Sequence, residues 1–451
     1  MLALFQDPDI PAQAGSDFGG TTTVHPVGLA ALGFLIVLAM LMPRRLTVVP
    51  VILLLCFIPA GQRVVIATID FTFLRLLMMV MWLRLFLRSD LTPIVWNHLD
   101  RVMVAWNVVS VITGTLLGGT VGIFVNRMGY AVDGMMVYFF FRLLIRDYRD
   151  LALIAKVFAF VGFAVLVFFI VENRTSRNMF YVFGGVLEYT EIRGGRLRCQ
   201  GAFAHSILAG CFWACLLPYY FARAWWTRQW GLAGFGAMAA LAIVVLCASS
   251  TPIMAVLFGL VGAGFWFVRG ALRWFRWLIV GWLCVLHFFL MAQPVWHLLS
   301  RIDLTGGSTG WHRFHLVDKF FDRFHEWWMF GTEHTGHWGP GLHDVTNQFV
   351  AEGVGGGIAK LALFCAAIWL AFAGVSRSVR LPGTHVSYKI VSWCLGTALF
   401  MHCMNFIGVS YFEQIVTLWF MALAAVSSLT LVPGARVSRQ LATQGIAATM
   451  K

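Results

Sequence analysis

The sequence predicts an all-α, polytopic integral membrane protein of about thirteen transmembrane helices with a large helical outer (periplasmic) loop. Three observations carry that fold class. Hydrophobic residues make up 60% of the 451 and charged residues only 12%, and 40 Phe and 19 Trp add apolar surface that a water-soluble fold could not hide. The apolar residues gather into runs of about twenty, the length a bilayer demands. The basic residues gather in alternate gaps between those runs. This excludes a cytosolic enzyme, a secreted domain and an ordinary nucleic-acid binder. The net charge of +13 follows the membrane, so membrane lipid and no nucleic acid is the expected surrounding.

The runs fall at 27–42, 46–60, 69–88, 101–119, 128–146, 152–171, 203–222, 231–249, 251–268, 274–292, 347–374, 387–409 and 411–432. Pro50 and Pro59 make the second short, and broken or re-entrant. Residues 1–26 read as a short outer tail; they hold Asp7, Asp9 and Asp17 but no base, so the n-region of a signal peptide is missing. Residues 27–432 read as a single transmembrane domain and 433–451 as a cytoplasmic tail. Arg44 and Arg45, Arg84 and Arg88, Arg142 and Arg146, Arg223 and Arg228, Arg269 and Arg273, and Arg377 and Arg380 all follow odd-numbered runs. The positive-inside rule therefore puts the N-terminus outside and the C-terminus in the cytoplasm. All nine cysteines except Cys199 lie within apolar runs, as buried small hydrophobes do, and no disulfide framework is expected.

Two outer segments, 172–202 and 293–346, are long and basic on the wrong side for topology. They carry Arg174, Arg177, Arg193, Arg196, Arg198, Arg301, Arg313, Lys319 and Arg323. Such cations either bind an anion or pair with local acids such as Glu188, Glu191, Asp318 and Asp322. In the second segment Trp311–Trp328 reads as an interfacial helix. Leu316, Phe320, Phe324 and Trp327 share one arc, and His312, His315, Lys319, Asp322, Arg323 and Glu326 the opposite one. Arg313 falls in the middle of the apolar arc, where a guanidinium must snorkel or meet a buried anion. Gly331–Gly341 follows, with Gly or Pro at five of eleven positions, a composition suited to lining a cavity. Gly355, Gly356 and Gly357 then permit close helix packing. His312-x-x-His315 and His334-x-x-His337 have zinc-like spacing, but neither is flanked by Cys or by an H-E-x-x-H pattern, so no metal is assigned. Asp7-Pro-Asp9 matches a D-x-D motif in letters only. There is no P-loop, dinucleotide fingerprint or nucleophile elbow.

The segment Arg196-Leu-Arg198-Cys-Gln-Gly201-Ala-Phe203-Ala-His205-Ser206 resembles the R-x-x-G-x-F-x-H-P signature of the O-antigen ligase and exopolysaccharide polymerase superfamily, with Ser206 in place of Pro. The resemblance continues at Ser249-Ser250-Thr251, Gly310-Trp-His-Arg313, Glu326-Trp-Trp-Met-Phe-Gly331-Thr and Thr346-Asn347-x-Phe-Val-x-Glu352-Gly353. It covers 170–370 in motif detail. It implies a glycosyltransferase of the bacterial inner membrane that polymerises or ligates glycans from an undecaprenyl-diphosphate carrier on the outer face. The implied partners are that donor, a glycan or lipid acceptor, and proteins of polysaccharide assembly; no cofactor and no metal is implied. Arg198, Arg313 and Arg196 would hold the diphosphate. Family members carry His directly before the residue that is Asn347 here; Thr346 stands there in this chain, which moves the implied base to His337 or His343 beside Asn347. His205 and His312 would support them, and Arg75, Asp133 and Glu413 would either line the same cavity or serve as structural ion pairs.

The chemistry matches the residue types independently. A diphosphate leaving group needs cations at its developing charge, which Arg supplies bidentately, and an acceptor hydroxyl needs a base near neutral pH, which His supplies. The alternatives are a transporter or flippase for an anionic or lipid-linked solute, and a membrane scaffold. The first predicts two similar halves, and the sequence has no internal repeat. The second has no use for Arg313.

Overall fold

The computed structural model describes residues 22–66, 69–301 and 310–430. Most of the N-terminal tail (with Asp7-Pro-Asp9), the tail 433–451 and residues 302–309 of the second long segment lie outside the described residues. The chain is mostly helical. It begins with α1 (Pro26–Leu41), α2 (Val48–Phe57), α3 (Phe73–Leu87), α4 (His98–Gly118), α5 (Val121–Leu144) and α6 (Tyr148–Thr175). The middle holds α7 (Ser206–Cys215), α8 (Leu217–Thr227), α9 (Trp230–Leu246), α10 (Ser250–Gly264) and α11 (Leu272–Val285). The last part holds α12 (Gly310–Asp322), α13 (Phe324–Trp327), α14 (Gln348–Val354), α15 (Gly357–Arg380), α16 (Val386–Gly408) and α17 (Gln414–Thr430). Two small antiparallel hairpins accompany them: β1 (Arg63–Ile66) with β2 (Ile69–Thr72), and β3 (Ile192–Arg193) with β4 (Arg196–Leu197).

Each apolar run of the sequence carries helix, but fewer helices have spanning length. By length and composition α4, α6, the α7–α8 pair, α15 and α16 can cross a membrane; the bent pair Trp274–Leu290 and Val295–Arg301, turned by 93°, makes a sixth if it counts as one span. α1, α9, α10 and α17 are apolar but shorter. The shortening has local causes. The start of the third run is spent on β2, which leaves α3 fifteen residues. The last run becomes helical only at Gln414, so 409–413 is a connection. α5 is long, but Arg127, Asp133 and Arg142 dilute its apolar character.

The α7–α8 pair forms the centre, with its joint at Leu216 just before Pro218, where a backbone donor is missing. Around it pack α6, α9, α10 and α16. Cys211, Phe212 and Trp213 are fully buried, and every cysteine is free. Charges that the sequence marks as loop cations are partly internal. Arg84 bonds Asp90 and the Met42 carbonyl, Arg223 the Ala152 carbonyl and Gln229, and Arg142 pairs with Asp100; all three arginines are buried. Lys360, which no sequence pattern explains, lies 3.3 Å from the buried Glu352 carboxylate, which also accepts from Trp106 and Gln348. A partly buried cation with a multiply bonded, buried partner is the arrangement that offsets desolvation.

The long segment before α14, together with the start of that helix, has its own small core that includes Leu316, Phe320, Trp327, Trp338, Leu342 and Val350. The expected single helix over Trp311–Trp328 is broken at Arg323, and half of its apolar arc packs into that core instead of facing outward. Backbone bonds Thr332 N–H to Val354 O (2.8 Å) and Ile358 N–H to Trp328 O (2.8 Å) clamp the segment to the α14–α15 joint. Gly331 (φ 99°) and Gly357 (φ 72°) make this possible: a Cβ on either would stand 2.2 Å from a carbonyl oxygen of the other strand of chain. The glycine run therefore serves loop docking at Gly357 and not only helix packing.

Candidate anion-binding site at the loop end of the bundle

The end of the bundle that carries both long segments brings together the N-termini of α7 and α10, the C-terminus of α16 and the first turn of α12. Arg313, in that first turn, points into the junction. Its Nη2 donates to Thr251 Oγ1 at 3.1 Å, and its Cζ lies 3.6 Å from where a Cβ of Gly408 would stand. Its Nε is buried without an acceptor, and no carboxylate pairs with it among the described residues. Burial pulls this guanidinium below its ordinary pKa, and Arg193 pushes the same way. Arginine does not respond by shedding its proton, so an unneutralised cation is held there.

The neighbouring cations divide cleanly. Arg177 pairs with Glu188 (2.5 Å), Lys319 with Asp322 (2.9 Å) and Arg323 with Glu326 (2.7 Å), as local pairing predicts. Arg198 is buried at the foot of the β3–β4 hairpin, where its Nη1 donates to Glu191 Oε2 at 3.2 Å. Burial lowers its pKa, with Arg193 adding to the fall against Glu191. Arg193 thus acts electrostatically on both Arg198 and Arg313, a role that nothing in the chain signals except its sign. Arg196 is exposed on β4.

His205 caps the start of α7, with its ring edge-on to Phe412 at 5.8 Å. Burial depresses its pKa and Arg198 helps, while Glu191 and Asp344 oppose. His312 directs Nε2 to the Asp344 carbonyl at 3.0 Å. Arg313, Arg193, Arg198, Glu191, His205, Asp344 and His312 are linked one to the next by these contacts and fields. A multiply charged oxyanion suits such a junction, since Arg313 still has donors to give.

The other sequence-derived residues fall elsewhere. His337 Nε2 lies 2.7 Å from Glu326 Oε2, which also accepts from Trp338 Nε1 at 2.8 Å. Burial alone would raise the Glu326 carboxyl, but the Arg323, Trp338 and His337 bonds hold it down at about 2. This cluster is carried by α13 and the loop that follows it, not by the first turn of α12 that holds Arg313. His334 and His337 rings stand 5.2 Å apart, and no group of three metal-ligating side chains occurs among the described residues. His343 is exposed on the same loop. Asn347 is buried and fully engaged: its Oδ1 caps α14 through Phe349 N–H (2.9 Å) and Val350 N–H (3.2 Å), and its Nδ2 donates to the Ile407 carbonyl (3.3 Å). Arg75 and Asp133 form a two-bonded pair (both 2.7 Å) between α3 and α5, with Arg75 also bonding the Asp70 carbonyl. Glu413 lies in the 409–413 connection with φ 59°, and one of its carboxyl oxygens is buried without a donor. No protein-family model matches this chain, and no curated protein matches it.

Proposed function

We propose that this protein is a membrane glycosyltransferase that moves a glycan from an undecaprenyl-diphosphate carrier to a glycan or lipid hydroxyl, as an O-antigen ligase-like or polysaccharide polymerase-like enzyme. It works in the bacterial inner membrane with its loop end outward, about thirteen membrane-embedded helices, an outer N-terminus and a cytoplasmic C-terminus. One observation carries the proposal: Arg313, whose nearest neighbours leave its charge unmatched at the junction of four helices. Snorkelling to lipid phosphate would turn the side chain away from the bundle, whereas this one reaches Thr251. Arg313 and Arg198 would hold the diphosphate while its bond to the sugar lengthens, and Arg193 would raise the local positive potential. The chemistry needs no nucleotide, and no metal is assigned a part.

The test is transfer by purified protein in lipid, with Arg, Lys or Ala at positions 313 and 198 beside expression level and melting temperature. Arg313→Lys should insert and melt normally yet lose most transfer, because an ammonium cannot form the planar two-bond fork. Full activity of both Lys variants would remove the clamp. Cysteine labelling that finds Gly341 accessible from the cytoplasm would remove the outward site altogether.

A further inference from the structure

We propose that His312 is the general base of this site, with its proton position set by the Asp344 carbonyl. This rests on the transferase proposal above. The Asp344 oxygen can only accept, so the hydrogen of the neutral imidazole sits on Nε2, 3.0 Å away. The lone pair is thereby left on Nδ1. That nitrogen looks toward Gly341, where even an added Cβ would approach no closer than 3.7 Å. A residue with φ of +77° that lacks a side chain leaves room there for a hydroxyl. His312 is half-buried and immediately precedes Arg313, so base and clamp ride on the same helical turn, about 100° apart around α12.

The other histidines are less well placed. His337 is committed to Glu326, His343 is exposed, and His315 stacks on Trp311. Burial favours the neutral form of His205, but Phe412 lies against its ring.

The step balances without a further reactant. The acceptor hydroxyl gives its proton to His312 Nδ1 as its oxygen bonds the anomeric carbon. The bond from that carbon to the phosphate oxygen breaks, and its electron pair leaves with the carrier diphosphate between Arg313 and Arg198. The imidazolium then returns its proton to water, with the Nε2 hydrogen bond undisturbed. A tautomer fixed by a backbone oxygen keeps the base ready without a carboxylate partner.

The test uses the full chain in lipid with a polyprenyl-diphosphate glycan donor. His312→Gln keeps an amide N–H for the Asp344 carbonyl but has no basic nitrogen. It should lower kcat by ~10²–10⁴-fold with donor binding unchanged. Carbethoxylation of wild-type protein, followed residue by residue by mass spectrometry, covers the case in which the variant does not accumulate: loss of transfer should track modification of His312. Near-normal kcat in His312→Gln, or inactivation that proceeds while His312 is unmodified, overturns the assignment and leaves the transferase proposal standing. Wild-type protein that neither binds nor consumes any polyprenyl-diphosphate donor overturns both.

Discussion

Asp100→Asn is expected to destabilise the protein by ~3–5 kcal/mol, the range for stripping one partner from a buried ion pair. The geometry supports the upper part of that range. Asp100 is 0% exposed and Arg142 5%. Arg142 Nε and Nη2 donate to the two carboxylate oxygens at 2.8 and 2.9 Å, and its remaining donors reach Ser428 Oγ (2.9 Å) and the Val95 carbonyl (3.1 Å). Asp100 also accepts from Tyr138 (2.7 Å) and Ser427 (2.9 Å) and completes a capping box with Asn97 at the start of α4. Asn keeps the shape but cancels the charge, which leaves a guanidinium in a dry interior. Arg142→Met strands the carboxylate in turn. The double variant removes both charges and should be less destabilised than the sum of the singles by ~0.5–3 kcal/mol. Denaturant unfolding in mild detergent, read by loss of tryptophan fluorescence shift, gives the cycle. Singles below about 1 kcal/mol, or a double variant equal to the sum, would mean that water reaches the pair and that the network is not a fastener of α4, α5 and α17.

Two further outcomes follow from the same geometry. Asn347→Ala should lower stability by ~1 kcal/mol through loss of the α14 cap, with Asn347→Ser recovering most of it; a large fall in turnover at unchanged stability would instead give Asn347 a part in the reaction. Glu413 is pushed up to about 7 by burial, with the Ala204 backbone opposing. The folded state therefore holds a proton that the unfolded carboxyl releases between about 4.5 and 7. Stability should fall as pH rises from about 4.5 through 7, and Glu413→Gln should abolish that fall. A melting temperature of the Gln variant that declines in parallel with wild type across this window would refute it.

Composition and run length determined the helical class and pointed to lipid as the solvent, because an apolar run in lipid can satisfy its backbone in few other ways. The two long inter-helix segments, their excess of arginine and the oddness of Arg313 were equally legible, since helical periodicity places a charge on an arc without any coordinates. The sequence also marked His205, Thr251 and His312 as neighbours in motif order. What it could not supply was pairing. Whether an arginine is a loop cation or an internal one depends on which acid or carbonyl lies opposite, and for Arg84, Arg142 and Arg223 that partner comes from helix packing. The same holds for the bases around the site: Arg177, Lys319 and Arg323 found acids, and Arg313 found Thr251. His337 and His343 were favoured by nearness to Asn347 along the chain. Contact with the returning loop is made by His312, because the chain lays Asp344 beside the first turn of α12. Periodicity fixes the direction of a side chain on its own helix; only the return of a distant segment decides what that side chain meets.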